Sequence, residues 1–310
     1  MKLRTRIAPT PSGYLHLGNA WSFVLTWLAA RSQDGFIHLR IDDLDAARAR
    51  DEYVEDIFAT LDWLGLDWDS GPRSAEEFKL AFSQRQRISR YRAVLEKIRF
   101  ERDIYACACS REQIRRDAEA VGVVVYPGTC REKGLSLDDA EHAWRYRVPA
   151  KGVAARDELG RAFDLYPNRD MGDFVLRQKN GDPSYQLASV TDDEDLNINF
   201  IVRGLDLMPS TGAQLSLSRA LSWEKLPQAR FWHHSLIVDD AGGKLSKSNA
   251  DAGIREKFSN PKPIFQFFAR HLGMDPTGIF SAKDLLPGFR VEKVATMPLR
   301  FADFWRENGG

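Results

Sequence analysis

Two periods of apolar and polar positions run along this chain, and the switches between them mark its elements. Leu3 to Ala8 reads as a short strand that enters a turn rich in proline and glycine. From Asn19 to about Arg31, Trp21, Val24, Trp27 and Leu28 recur at helical spacing, so the turn feeds a helix. Phe36 to Ile41, FIHLRI, reads as a second buried strand. Strand, turn, helix and strand in this order are the βαβ signature of a parallel sheet. Asp51 to Leu64 predicts the next helix, with Val54, Ile57, Phe58, Leu61 and Leu64 on one face and Gly65 as its stop. A third helix over Arg85 to Arg102 carries Ile88, Tyr91, Leu95 and Ile98 on one stripe. Its other faces hold Arg85, Arg87, Arg90, Arg92, Arg99 and Arg102, which fit a solvated surface or an RNA contact.

The texture changes after Ile104. From there to about Asp182 the chain has short strand-like runs (WRYRV, FVLRQ) and little long helical periodicity, as an insertion between two halves of an α/β domain would. The α/β pattern returns at Tyr185, with NFIVRG (Asn199 to Gly204) as a strand, a helix over about Thr211 to Ser222, and a strand at FWHHSLIV. A glycine-lysine loop, Gly242 to Asn249, follows, and PIFQFFARHLG is the clearest helix beyond it. The expected division is 1–103, 104–182, 183–250 and a helical segment 251–310.

Composition narrows the picture only a little. The 310 residues include 44 Lys+Arg and 44 Asp+Glu, so an RNA partner would have to meet a local basic face. No apolar run approaches the roughly 18 residues of a membrane span, and MKLRTRIAPT lacks the apolar core of a signal peptide. The cytoplasm is the expected compartment. Cys107, Cys109 and Cys130 are the only cysteines. An odd, clustered set argues against a disulfide framework and for a metal or for no role.

Two segments suit phosphate. His16-Leu17-Gly18-Asn19 lies at a helix mouth, where exposed N–H groups and the helix dipole favour an anion. His16 and Asn19, three apart, can face one phosphate, and Gly18 admits a ligand close to the backbone. A histidine at a helix start is also commonly a satisfied surface residue. Gly242-Gly243-Lys244-Leu245-Ser246-Lys247-Ser248 can fold two lysines over a polyphosphate, although such loops are frequent on surfaces. It is not a P-loop.

In this order, about 225 residues apart, the two segments resemble the HIGH and KMSKS signatures of class I aminoacyl-tRNA synthetases. The resemblance implies an α/β, Rossmann-type catalytic domain with parallel sheet, a zinc-containing α+β insertion and a short helical C-terminal segment. It also implies ATP with Mg²⁺ as substrate, His16, Gly18 and Asn19 on its phosphates, and Lys244 and Lys247 on the departing pyrophosphate. The amino-acid carboxylate is itself the nucleophile, so alignment and charge stabilisation suffice.

RIAPTPSGYLHLGNA, RIDDLDAAR (Arg40 to Arg48) and the Tyr185 to Arg203 region resemble the glutamyl subgroup, over roughly residues 3 to 275. That subgroup's glutamate-binding positions fall on Arg6, Ile7, Ala8, Pro9 and Thr10, with Asp42, Tyr185 and Arg203. Arginines suit a γ-carboxylate and an acid suits the ammonium. Asp42 departs from the family's Glu by one methylene; a closer backbone, a bridging water or Asp43 would compensate. About sixty residues follow Asn249, too few for a large anticodon-binding domain. That length and the RGLDLMPSTGAQ run are similar to the glutamyl-queuosine tRNA(Asp) synthetases. The resemblance implies tRNA-independent activation of L-glutamate and its transfer to the queuosine base in the anticodon loop of tRNA(Asp), by a monomer. A truncated glutamyl-tRNA synthetase charging the tRNA 3′ end and a non-catalytic RNA-binding paralogue are the alternatives. Cys107-x-Cys109 with Tyr126-x3-Cys130 matches the subgroup's zinc pattern, which makes these four residues the expected ligands of one structural Zn²⁺.

Overall fold

A computed structural model describes residues 2–100, 103–238, 253–294 and 299–300. In chain order it contains β1 (Arg4–Ile7), α1 (Leu17–Arg31), β2 (Phe36–Leu39), α2 (Asp51–Trp63), α3 (Ala75–Glu77) and α4 (Ile88–Phe100). Next come β3 (Ile104–Cys107), α5 (Arg111–Val121), β4 (Ala143–Tyr146), β5 (Val153–Asp157), β6 (Ala162–Leu165), α6 (Pro167–Asp170) and β7 (Val175–Arg177). The chain continues through α7 (Tyr185–Asp195), β8 (Phe200–Gly204), α8 (Met208–Ala220), β9 (Arg230–His234) and β10 (Ile237–Val238). It closes with α9 (Ile254–Lys257), α10 (Lys262–His271), α11 (Ala282–Leu285) and β11 (Leu299–Arg300).

The chain divides into two compact units. One comprises 1–83, 200–206 and 232–310; the other comprises 84–199 and 207–231. In the first, β1 and β2 pair in parallel with Arg6 opposite His38, so the βαβ expectation holds. The pairing outruns the strands: Arg40 N–H donates to the Ile7 carbonyl (2.9 Å) and Asp42 N–H to the Pro9 carbonyl (2.8 Å). Helix α1 starts at Leu17, two residues before the expected Asn19, because His16 caps it, and it is buried on most of its surface. Such a helix is apolar nearly all round because it lies in a core rather than on one. Its Trp21, Val24 and Leu28 join Ile37 and Leu39, the Val54-Ile57-Leu61 stripe of α2, and Phe265 and Phe268 of α10. Asp51 and Glu52 complement the N-terminal dipole of α2, and Gly65, at φ +66°, supplies the left-handed residue after its last turn. No helix among the described residues is long and apolar enough to cross a membrane.

In the second unit, β3, β4 and β7 form an antiparallel sheet, with Cys107 paired to Ala143 at the end of β3. Helix α5 was not apparent from periodicity because only Ala118 of its residues is buried. Its marks are the Ser110 cap, which accepts from Gln113 N–H, and Gly122 at φ +71°. The arginines of α4 divide between solvent and structure. Arg92 is exposed, whereas Arg87 Nε lies 2.8 Å from Asp192 Oδ1 and both Arg87 and Arg90 pair with Asp195. Asp192, 1% exposed, also accepts from Gln84 Nε2 (2.8 Å) and the Tyr91 hydroxyl (2.9 Å). Burial and the Asp192 charge raise the Tyr91 pKa far above its ordinary value, so the phenol stays a donor. These bonds bind α4 to α7 and explain why this unit takes in residues well beyond 104–182.

Removing Asp192 leaves the buried Tyr91 phenol without its acceptor and takes from the half-buried Arg87 one of its two carboxylates. Asp192→Ala should therefore lower stability by about 2–4 kcal/mol, read as a lower urea midpoint, while Arg92→Ala stays within about 0.5 kcal/mol.

Candidate active site and cysteine cluster

Helix α1 begins on a histidine. His16 has extended backbone at φ −120°, and its Nδ1 accepts from Gly18 N–H at 3.1 Å. The Asn19 side-chain oxygen in turn accepts from His16 N–H at 3.0 Å. Helix caps are usually Ser, Thr, Asp or Asn, whose oxygen does this work. Here an imidazole nitrogen replaces it, and the choice has a chemical consequence. An accepting Nδ1 carries no proton, so the ring's proton sits on Nε2. Likewise Asn19 spends its carbonyl oxygen on the cap and keeps its NH₂ group for donation. The mouth of the helix thus offers an imidazole N–H and an amide NH₂, both donors, beside the positive end of the dipole. Gly18 is needed for this geometry: a Cβ there would meet His16 Cε1 at 3.0 Å and Nδ1 at 3.1 Å.

The residues expected around glutamate lie on both units. Arg6, 5% exposed on β1, donates to the Val202 carbonyl at 3.4 Å. Ile7 and Pro9 are buried, Ala8 is half-buried and Thr10 is exposed. Asp42, buried, forms a bidentate pair with buried Arg40: Nε to Oδ1 at 2.6 Å and Nη2 to Oδ2 at 3.0 Å. Asp43 accepts from Ser83 Oγ at 2.5 Å. Arg203 is 4% exposed on β8, and its charge adds to burial in pushing His233 down to about 3. Burial also pushes neighbouring His234 down to about 4, where its Nδ1 donates to the Ser235 carbonyl at 3.0 Å. All of these belong to the first unit. Tyr185, the opening residue of α7, belongs to the second and is 42% exposed. Lys244 and Lys247 lie outside the described residues. Arg40 went unassigned in the sequence, although its spacing of two from Asp42 in extended chain puts both on one face.

The cysteines come together within the second unit. The sulfurs of Cys107, Cys109 and Cys130 all lie within 4.8 Å of one another, and Cys109 and Cys130 are 3.4 Å apart. The Tyr126 hydroxyl stands 3.4 Å from Cys107 Sγ and 3.8 Å from Cys109 Sγ, and accepts from Cys130 N–H at 2.8 Å. A tetrahedral Zn²⁺ about 2.3 Å from each sulfur separates its ligands by roughly 3.5–3.8 Å, so the four residues fit one ion. The Arg145 guanidinium lies 3.7 Å above the Tyr126 ring and donates to the Asp173 carbonyl at 2.6 Å. Burial works to raise the Cys107 thiol, but the Tyr126 hydroxyl and the positive charge of Arg145 outweigh it and lower the thiol to about 7. Burial and Cys130 push Cys109 up to about 12.

A parallel β1–β2 pair joined by a buried helix defines a βαβ unit of an α/β domain, with donors at the mouth of its helix. The comparisons narrow the class. A solved glutamate tRNA ligase from Elizabethkingia meningosepticum matches with a TM-score of 0.78 and 26% identity, over 97% of this chain and 67% of that one. The model for class I tRNA synthetases (E and Q), catalytic domain, matches residues 2–296, and the chain belongs to that family. The fold is therefore the class I synthetase catalytic fold, as expected. A protein called glutamyl-Q tRNA(Asp) synthetase in Nitratidesulfovibrio vulgaris is 36% identical over 96% of this chain and 95% of its own length. Its namesake in Symbiobacterium thermophilum is 35% identical over 95% and 94%. A glutamate–tRNA ligase of Geobacter sulfurreducens is 34% identical over 94% of this chain, which spans 62% of that relative.

The histidine cap separates by substitution. His16→Ala should cost about 1 kcal/mol, whereas His16→Asn keeps a capping oxygen and should unfold close to the parent temperature. Gly18→Ala gains helix propensity of up to about 1 kcal/mol but evicts the imidazole. Side-chain ¹⁵N NMR should show a fixed acceptor Nδ1 in the parent and its loss in Gly18→Ala. An unchanged signal in Gly18→Ala would contradict the cap.

Proposed function

We propose that this protein activates L-glutamate with ATP, without tRNA, and transfers it to the queuosine base in the anticodon loop of tRNA(Asp). The observation that carries this reading is the end-to-end similarity, 35–36% identity over 94–95% of their length, to two relatives called glutamyl-Q tRNA(Asp) synthetase. In the first step a glutamate carboxylate oxygen attacks the α-phosphorus of ATP. A C–O–P anhydride forms, the bond from the α-phosphorus to the bridging oxygen breaks, and pyrophosphate leaves with that electron pair. His16 Nε2–H and Asn19 NH₂ suit the donors this charge needs, and Gly18 keeps the imidazole in place. Lys244 and Lys247 are assigned to the departing pyrophosphate, with Mg²⁺ held largely by ATP oxygens.

The buried cations Arg6 and Arg203 are assigned to the γ-carboxylate, along the Arg6–Thr10 segment, with Tyr185 as a hydrogen-bonding wall. Asp42 is assigned to the ammonium, and its bidentate Arg40 partner holds the carboxylate in one orientation. In the second step a queuosine hydroxyl attacks the glutamyl carbonyl and AMP leaves. Cys107, Cys109, Cys130 and Tyr126 would hold one structural Zn²⁺, which clamps the loops of the second unit. The family resemblance is the basis for assigning a monomer, and the cytoplasm is its assigned compartment. Charging of the tRNA 3′ end is the second reading, supported by the glutamate–tRNA ligases at 32–34% identity.

Glutamate-dependent exchange between ATP and pyrophosphate with tRNA omitted tests the first step. Exchange with glutamate alone among the amino acids is expected; none with any amino acid would overturn the reading. Radiolabelled glutamate should then enter tRNA(Asp) that carries queuosine, with or without its 3′-terminal nucleotide, and not tRNA(Asp) that carries guanine in its place. The reverse pattern would favour the second reading. Protein purified without chelator should contain about one zinc per chain, measured by atomic absorption, and Cys130→Ser should lose it.

A further inference from the structure

The His16–Asn19 and Gly242–Asn249 segments are far apart in sequence, yet one buried carboxylate in α2 meets the backbone just before the first and an arginine side chain a few residues beyond the second. Asp56, 5% exposed, sits in the middle of α2 among Val54, Ile57, Thr60 and Leu61, a stripe that otherwise faces the core. Its Oδ2 accepts from Leu15 N–H at 2.9 Å, one residue before the His16 cap. Its Oδ1 accepts from Arg255 Nη2 at 3.0 Å, and Arg255 Nε reaches the Thr60 hydroxyl at 3.3 Å. Arg255 is eight residues beyond Lys247. The same two segments also meet directly. Ile254 N–H donates to the Leu15 carbonyl at 2.8 Å, and a Cβ on Gly253 would lie 3.3 Å from Tyr14 Cβ. Residues 253–255 therefore run against residues 14 and 15 and end on Asp56, all within the first unit.

From this junction we infer that Asp56 is a positioning residue for the phosphate site: with Arg255 it fixes Leu15, and hence the His16 cap, to the segment that follows the Gly242–Asn249 signature. The inference rests on the activity proposed above for its catalytic consequence. Its physical basis is simpler. A carboxylate buried on an apolar stripe is costly unless it is supplied with hydrogens. The Thr60 hydroxyl, one turn on in the same helix, supplies Oδ1 at 3.4 Å, but the shorter bonds come from the residue preceding His16 and from α9, so keeping both oxygens of Asp56 satisfied requires both segments to hold their places. Neither Asp56 nor Arg255 needs to touch ATP. Misplacing a catalytic donor by about 1 Å can cost on the order of a hundredfold in rate, so the carboxylate acts through His16.

The test compares Asp56→Asn, Arg255→Gln, Arg255→Lys and the double variant Asp56→Asn/Arg255→Gln, in the full chain. In glutamate-dependent ATP–pyrophosphate exchange each of the first two should lower kcat by about 10- to 100-fold with the KM for glutamate little changed. The double variant should be no worse than the poorer single one, and Arg255→Lys should recover part of the rate. Hydrogen–deuterium exchange supplies the readout independent of activity: the amides of Leu15, Gly18 and Ile254 should lose protection together in either single variant. Loss at Ile254 alone in Arg255→Gln, additive effects on kcat, or a lower melting temperature with unchanged kcat would each overturn the inference. If the parent protein performs no exchange with glutamate, the functional reading fails, and the amide protection still decides whether Asp56 joins the two segments.

Discussion

A carboxylate removed from water must be given hydrogens, and in the first unit that demand organises the chemistry. Asp42, Asp43 and Asp56 are all nearly inaccessible. Asp42 takes its hydrogens from Arg40, Asp43 from Ser83, and Asp56 from Leu15 and Arg255. Leu15 and Arg255 lie beside the His16 cap, and Arg40 N–H is bonded to the Ile7 carbonyl next to Arg6. The apolar core of Ile7, Trp21, Val24, Ile37 and Leu61 supplies most of the cohesion, but cohesion of this kind is non-directional. Hydrogen bonds to buried anions are directional, short and expensive to break. They are the interactions able to hold a donor to the fraction of an ångström that catalysis demands.

The histidine cap applies the same principle at a smaller scale. An Asp at position 16 would cap α1 equally well and leave nothing to donate. Imidazole has two ring nitrogens of opposite character, so one closes the helix while the other keeps the proton. Gly18 then serves the cap as well as ligand approach, because a Cβ there would press on the ring at 3.0–3.1 Å and oblige it to shift. The backbone geometry of the cap and the tautomer of the ring are one fact.

Much of the fold was legible because β1, α1 and β2 differ sharply in period and are separated by strong turn residues. Helix α5 was not, since it buries Ala118 alone and offers no stripe. Its Ser110 and Gly122 termini were the available signals. Among site residues, those within one motif could be read: His16 and Asn19 are three apart, and Cys107, Cys109, Tyr126 and Cys130 follow a local pattern. Their through-space partners could not. Asp56 and Arg255 are 199 residues apart and neither belongs to a motif. The arginines of α4 look alike in sequence, yet Asp192 and Asp195 on α7 take up Arg87 and Arg90 and leave Arg92 in water. Periodicity reports which face is apolar and is silent on which charge across a fold will answer it.

The cysteine cluster shows how far the same electrostatic reasoning extends in the second unit. Three sulfurs within 4.8 Å of one another, with a phenol beside them, would concentrate negative charge once they bound a cation of charge two. Three thiolates exceed that charge even with the phenol neutral. Arg145 is placed to offset the excess: it stacks 3.7 Å above the Tyr126 ring, its charge lowers the Cys107 thiol, and it is itself fixed through the Asp173 carbonyl. Asp173 in turn accepts from the Tyr105 hydroxyl at 2.7 Å and from Val148 N–H at 2.9 Å, so the cation's support reaches both β3 and the end of the β4 segment. An arginine between Trp144 and Tyr146 reads in sequence as an outward-facing residue of an alternating strand. It is 7% exposed, covered by the Tyr126 ring and held by the Asp173 carbonyl. Thiolate ligands buried with a metal would need a counterion as much as the ligand set itself, and strand β4 would supply one beside the ring of the fourth candidate ligand.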